Sequence, residues 1–223
     1  VGGKMSKKIN CDLKIVDMQF PNIGIGYYDG KKVKVKNSLK GQVLNVNISK
    51  KRKSYEGRII DIVSKANEEI IPDCIDFDLC GGCTYQNIPY EYELEIKKNI
   101  VLDLFDKEDI KDFKFLDIEP APSFKNYRNK MEFSFGDNEK GGELALGMHK
   151  RNSYYEVVTS KNCNIIDENY KKILMTVLEF FKSKDLKFYH KSTREGVLRH
   201  LIIRKGEFTK EILINLVTTS NIN

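Results

Sequence analysis

Three cysteines within ten residues, Cys74-x5-Cys80-Gly81-Gly82-Cys83, constrain this chain more than any other stretch. A segment with two thiols bracketing Gly-Gly is free to fold tightly around one centre, because glycine tolerates backbone conformations closed to other residues. A tetrathiolate set then lacks one member. Cys163 lies in a polar Lys-Asn-Cys-Asn turn, whereas Cys11 lies in a basic, strand-rich region and reads as an inert thiol, so Cys163 is the better fourth partner. Four thiolates suit either an iron–sulfur cluster or a structural zinc. Structural zinc favours two matched Cys-x2-4-Cys knuckles and only one is present, which leans toward a cluster; zinc and reduced thiols stay open as alternatives.

Charge divides the 223 residues unevenly. Residues 1–66 hold 15 Lys/Arg against 5 Asp/Glu, a net of +10, so the remainder carries −4 of the overall +6. Between Lys65 and Lys97 there is no basic residue and there are eight acidic ones. A basic front module points to a polyanionic partner, with a merely solvated surface as the bland alternative. No apolar run approaches a membrane span, and the opening residues are polar and basic with no signal-peptide pattern, which places the protein in the cytoplasm. There, cysteines serve as metal ligands or free thiols rather than disulfides. Residues 1–8 read as a tag remnant and flexible start.

The fold class expected is mainly β with two or more helices (α+β). Residues 9–66 predict an OB-like barrel of five short strands. Ile15-Val16, Val33–Lys36, Leu44–Ile48 and Arg58–Val63 are β-branched runs, and Asp29-Gly30 is a hairpin signal. Tyr27, Tyr28 and Tyr55 are interleaved with its cations, as in RNA-binding surfaces or as core and rim residues. Residues 67–87 form the cysteine-bearing linker, and Tyr90, Leu94, Val101, Leu104 and Phe105 recur at helical spacing within 88–118. The rest, 119–223, predicts a β-rich domain. Met131, Phe133 and Phe135 alternate, as do Leu144, Leu146 and Met148; a helix over 167–183 has Asp167 as its N-cap, and a hairpin joins Leu198–Arg204 to Glu211–Val217.

Nothing reads as catalytic. There is no Gly-x-Gly-x-x-Gly between strand and helix and no Gly-x4-Gly-Lys-Ser/Thr, so no nucleotide cradle. His149, His190 and His200 do not cluster in sequence, and each reads as a surface or satisfied residue.

Cys74-x5-Cys80-Gly-Gly-Cys83-Thr-Tyr-Gln86, with Tyr90 and a Lys-rich helix behind it, resembles the cluster segment of the RNA uridine-5-methyltransferases of the TRAM-plus-iron–sulfur, ribosomal-RNA type. Tyr127-Arg-Asn-Lys-Met-Glu-Phe-Ser-Phe135 resembles that family's next block, and Leu198-Arg-His-Leu-Ile-Ile-Arg204 leading into Leu213–Thr218 the one after. The front barrel is similar to a TRAM domain.

The resemblance implies a 4Fe-4S cluster on Cys74, Cys80, Cys83 and Cys163. It implies that barrel and central domain together grip RNA, with ribosomal RNA expected over transfer RNA. Arg128, Lys130, Arg199, His200 and Arg204 are the central-domain candidates for RNA contact and Lys34, Lys36, Lys51 and Arg52 the barrel ones, with a surface salt bridge or a phosphate-indifferent side chain as the alternative for each. The family's chemistry adds a cysteine thiolate to C6 of a flipped uracil, and C5 takes a methyl from S-adenosylmethionine. Those groups belong to a C-terminal Rossmann-like domain, expected to follow in cis. The helix of 88–118 would pack on it, and this chain, a monomer, would carry neither catalytic nor S-adenosylmethionine-binding residues. The alternative is a free-standing RNA-binding module with a structural metal and no enzymatic role.

Overall fold

A computed structural model describes residues 9–51, 54–184 and 186–220. The chain divides into two units that interleave in sequence: residues 1–71 with 87–120, and residues 72–86 with 121–223.

The first unit is built on β1 (Ile9–Lys14), β2 (Asp17–Gln19), β3 (Ile23–Tyr28), β4 (Lys31–Lys36), β5 (Val43–Lys50) and β6 (Tyr55–Ser64), followed by helix α1 (Tyr90–Lys107). The strands lie in the order β1-β5-β6-β4-β3-β2, antiparallel except for β4 against β6. The sheet curls on itself, because Val16 N–H, just beyond β1, donates to the carbonyl of Ile25 on β3 at 2.8 Å. The strand count is six rather than the five expected. β2 spans only three residues, too short for a period-two pattern to register, while Ile15-Val16 is the corner between β1 and β2. In β4 the alternation is clean: Val33 and Val35 are fully buried and Lys32, Lys34 and Lys36 point out. Asp29 and Gly30 both have positive φ (49° and 68°), the conformation a two-residue primed turn requires.

A buried polar clasp ties residues 66–70 and 87 to this sheet. The Gln42 side chain donates to Glu69 at 2.8 Å and accepts from Leu39 N–H at 2.8 Å; Ile70 N–H donates to the Asn87 carbonyl at 2.8 Å. Helix α1 buries Ile96 and Ile100, leaves Val101 and Leu104 exposed, and ends at Lys107, short of the 88–118 expected.

The second unit contains β7 (Lys130–Asp137), β8 (Leu144–His149), β9 (Val157–Thr159), helix α2 (Glu168–Lys182), β10 (Leu198–Lys205) and β11 (Ile212–Thr218). Its antiparallel sheet runs β11-β10-β7-β8-β9. One face carries Met131, Phe133, Phe135, Leu146, Leu201 and Ile203, which pack with Tyr170, Leu174 and Leu178 of α2. These three recur at helical spacing, so they share one stripe of α2. Asp167 caps the helix, accepting from Asn169 N–H at 2.9 Å. The opposite face of the sheet presents Lys130, Glu132 and Ser134 of β7 and, in register with them, Arg204, Ile202 and His200 of β10.

Among the described residues no helix is long and apolar enough to cross a membrane. Expected and observed fold class agree: mostly β, with two α helices, a curled OB-like sheet and a second sheet.

Candidate metal centre and nucleic-acid interface

Residues 72–86 carry no helix or strand, yet they are firmly placed. Phe77 N–H donates to Cys74 O (3.1 Å) and Cys80 N–H to Asp76 O (2.7 Å), a tight turn that carries the chain from one cysteine to the next. Cys80 then forms a bridge with Lys150 beyond β8, flanked by Gly81 N–H to His149 O (2.9 Å) and Arg151 N–H to Leu79 O (2.6 Å). A Cβ on Gly81 would stand 3.0 Å from the His149 carbonyl, and one on Gly82 would stand 3.4 Å from Cys80 Sγ. Neither glycine has positive φ; they permit close approach rather than a left-handed turn.

Arg151 fastens this loop. Its Nη2 donates to the carbonyls of Phe77 and Cys83, both at 3.0 Å, and its guanidinium lies 4.9 Å from the centre of the buried Phe77 ring. Gln86 and Asn164 exchange side-chain hydrogen bonds (3.0 and 2.9 Å), which couple the Cys83 stretch to the residue after Cys163. Sulfur itself receives donors: Gly82 N–H to Cys80 Sγ at 3.4 Å and Gln86 Nε2 to Cys83 Sγ at 3.2 Å.

Cys74, Cys80, Cys83 and Cys163 line one pocket, walled by Met131, Met148, Val158 and Ile165 on the core side of the sheet. Burial raises the thiol pKa of Cys74 and Cys80 and pushes Cys163 up to about 11, and neighbouring thiolates raise each of the three further. Left to themselves these thiols stay protonated; a bound cationic group would have to displace the protons. Among the described residues, no three His, Cys, Asp or Glu side chains are grouped so as to hold a single metal ion. The fifth cysteine, Cys11, lies on β1, its thiol raised first by burial and then by Asp12.

The described basic candidates sort into four places. In the first unit Lys34 and Lys36 are exposed on β4, Lys34 is in register with Glu56 of β6, and Lys51 pairs with the same Glu56 at 3.9 Å. Arg52 lies outside the described residues. Tyr27 is exposed opposite Lys32, whereas Tyr28 and Tyr55 pack on the core. In the second unit Lys130 and Arg204 are cross-strand neighbours, Lys130 also pairing with Glu132 at 3.6 Å. Arg128 lines the cysteine pocket instead of the sheet face.

Arg199 and His200 line a second pocket, on the opposite face of the same sheet. His149 and His190 line it too, so the three histidines that look unrelated in sequence do cluster. Tyr154, Tyr155, Tyr189 and Lys191 complete the aromatic and cationic part of its wall. Their sequence trace is faint: a Tyr-Tyr pair and a Tyr-His-Lys run, each aromatic beside polar residues in a loop.

The fold has a counterpart among solved structures. The crystal structure of the Pyrococcus abyssi tRNA (uracil-54, C5)-methyltransferase in complex with S-adenosyl-L-homocysteine matches this chain with a TM-score of 0.68 at 20% identity, covering 94% of this chain and 46% of that one. No protein-family model matches the chain. In sequence it is 45% identical over 220 residues to an uncharacterised RNA methyltransferase of Clostridium tetani and 43% identical over 219 residues to one of Caldanaerobacter subterraneus. Each match covers 98% of this chain and 48% of the relative, so the chain spans about half the length of the curated relatives it matches.

Proposed function

We propose that this chain is the RNA-recognising, iron–sulfur-bearing N-terminal part of an S-adenosylmethionine-dependent RNA (uracil-C5) methyltransferase of the cytoplasm. One observation carries the reading: Cys74, Cys80, Cys83 and Cys163, the last some eighty residues from the others, line a single pocket. The pocket fits a cluster in chemistry, with four thiols, N–H donors to two of the sulfurs, and apolar walls. A bound cluster would tie residues 74–86 to the turn at Cys163, a structural role. The relatives named RNA methyltransferases support the enzyme class.

Within the reaction, this chain's part is to hold RNA. The barrel cations Lys34, Lys36, Lys51 and Arg52 are proposed as one set of polyanion contacts and the central cations Arg128, Lys130, Arg199 and Arg204, with His200, as another, while S-adenosylmethionine would supply the methyl group elsewhere in the full-length protein. Catalytic residues are assigned to a methyltransferase domain in cis. Helix α1, which leaves Val101 and Leu104 exposed, is the element proposed to pack on it.

The test is anaerobic purification with an absorption spectrum and iron, sulfide and zinc assays on one sample. A broad band near 400 nm with about four irons per chain is expected. Stoichiometric zinc without sulfide overturns the cluster and moves the reading to a structural-metal RNA-binding module. Ribosomal RNA is proposed over transfer RNA; competition between the two for the purified chain decides that point, and equal or stronger competition by transfer RNA refutes it.

A further inference from the structure

The second pocket of the central unit has a chemistry that the cysteine site does not use. We propose that it binds an unpaired nucleotide of a single RNA strand, its base stacked on the Tyr155–His190 platform and its phosphate held by Lys191 and Arg199. The proposal rests on the RNA reading above and adds to it a specific site.

Tyr155 and His190 lie parallel, 7° apart with ring centres 5.3 Å from one another, a stacked pair that a nucleobase can extend. Beside it the Arg199 guanidinium sits 4.9 Å from the centre of the Tyr189 ring, a second cation-bearing plane. Tyr154 stands 87% exposed at the rim and Tyr155 52% exposed. Aromatic and guanidinium planes open to solvent are what nucleobases stack on once they leave a helix.

Charge completes the picture. Among the described residues no carboxylate lines the pocket. Among the described residues, neither Lys191 nor Arg199 has a carboxylate within ion-pair distance. Their charge is therefore available to an anionic ligand. Burial lowers the imidazole pKa of both His149 and His200; Lys191 adds to this at both, while Glu132 opposes it at His200 and the Glu156 backbone at His149. Neutral imidazoles each keep one donor and one acceptor, the equipment for reading a base edge. His149 Nδ1 is buried with no hydrogen-bond partner among the described residues. Four residues along β10 from His200, about 13 Å by strand rise, Arg204 and its neighbour Lys130 continue the cationic track on the same face.

The experiment uses the whole chain and a short oligouridylate carrying 5-iodouridine, in single-stranded form and annealed into a duplex. Photocrosslinks should map to peptides spanning 151–158 and 187–200. Tyr154→Ala with Tyr155→Leu should weaken single-strand binding about tenfold or more and leave duplex binding unchanged, with a wild-type thermal melt. Lys191→Gln should instead make the salt dependence shallower by about one unit. Crosslinks confined to other peptides, or a tyrosine double variant that binds the single strand as wild type does, overturns the pocket while the RNA reading stands. A wild-type chain that binds neither RNA form removes the RNA reading, and the pocket falls with it.

Discussion

Asp167 shows how much one side chain can hold. It caps α2 through Asn169 N–H and pairs with Lys205 at the end of β10, so it joins the helix to the sheet beneath it. Burial works to raise its pKa, but the Lys205 ammonium and the backbone N–H groups outweigh burial and hold the carboxyl below its ordinary value. A lowered folded pKa contributes stability that is complete above the unfolded value and is lost as pH falls through the folded one. Asp167→Ala should therefore cost about 1–2 kcal/mol near neutral pH. In urea unfolding the gap between variant and wild type should narrow toward about pH 3. A gap that stays constant with pH would refute the ion-pair account.

Elements show where a linear reading succeeds and where it stops. The Lys-Val-Lys-Val-Lys run of β4 was legible because one face is dry and the other wet, and period two writes that difference into the sequence. Cys163 lines the same pocket as Cys74, Cys80 and Cys83, and its polar turn, set against Cys11 in basic surroundings, is the trace of that in the sequence. The tyrosine–histidine pocket was not, because its members come from β7, the end of β8, the loop after it, residues 188–191 and β10. Only strand register gathers them, and register is a property of pairs of strands. β8 makes the point within one dipeptide: Met148 faces the cysteine pocket and His149 the other. Gly147 precedes them, and a Cβ there would lie 2.0 Å from the Val158 carbonyl. Gly147→Ala should part β8 from β9, costing about 1–3 kcal/mol or more, read as a lowered melting temperature. In the first unit, Lys34→Gln with Lys36→Gln should reduce the slope of RNA affinity against salt by about two units; an unchanged slope removes β4 from the RNA surface.

At the scale of the whole chain, the cysteine pocket concentrates the consequences. Cys80→Ala should abolish the absorbance expected near 400 nm and lower solubility, because it leaves three half-buried thiols without the group proposed to satisfy them. Full solubility with an unchanged melt would count against a structural role. The interleaving of the two units carries a further consequence, one for synthesis. Neither unit is a continuous stretch, so no single cut yields either of them intact. A growing chain finishes its first unit only after residue 120. By then Cys74, Cys80 and Cys83 have already emerged, ahead of the strands that will wall their pocket. At 5–20 residues per second they wait roughly 4–16 s for Cys163. Throughout that interval the nascent protein presents three unsheltered thiols, so the proposed cluster would have to be completed late, on thiols still reduced.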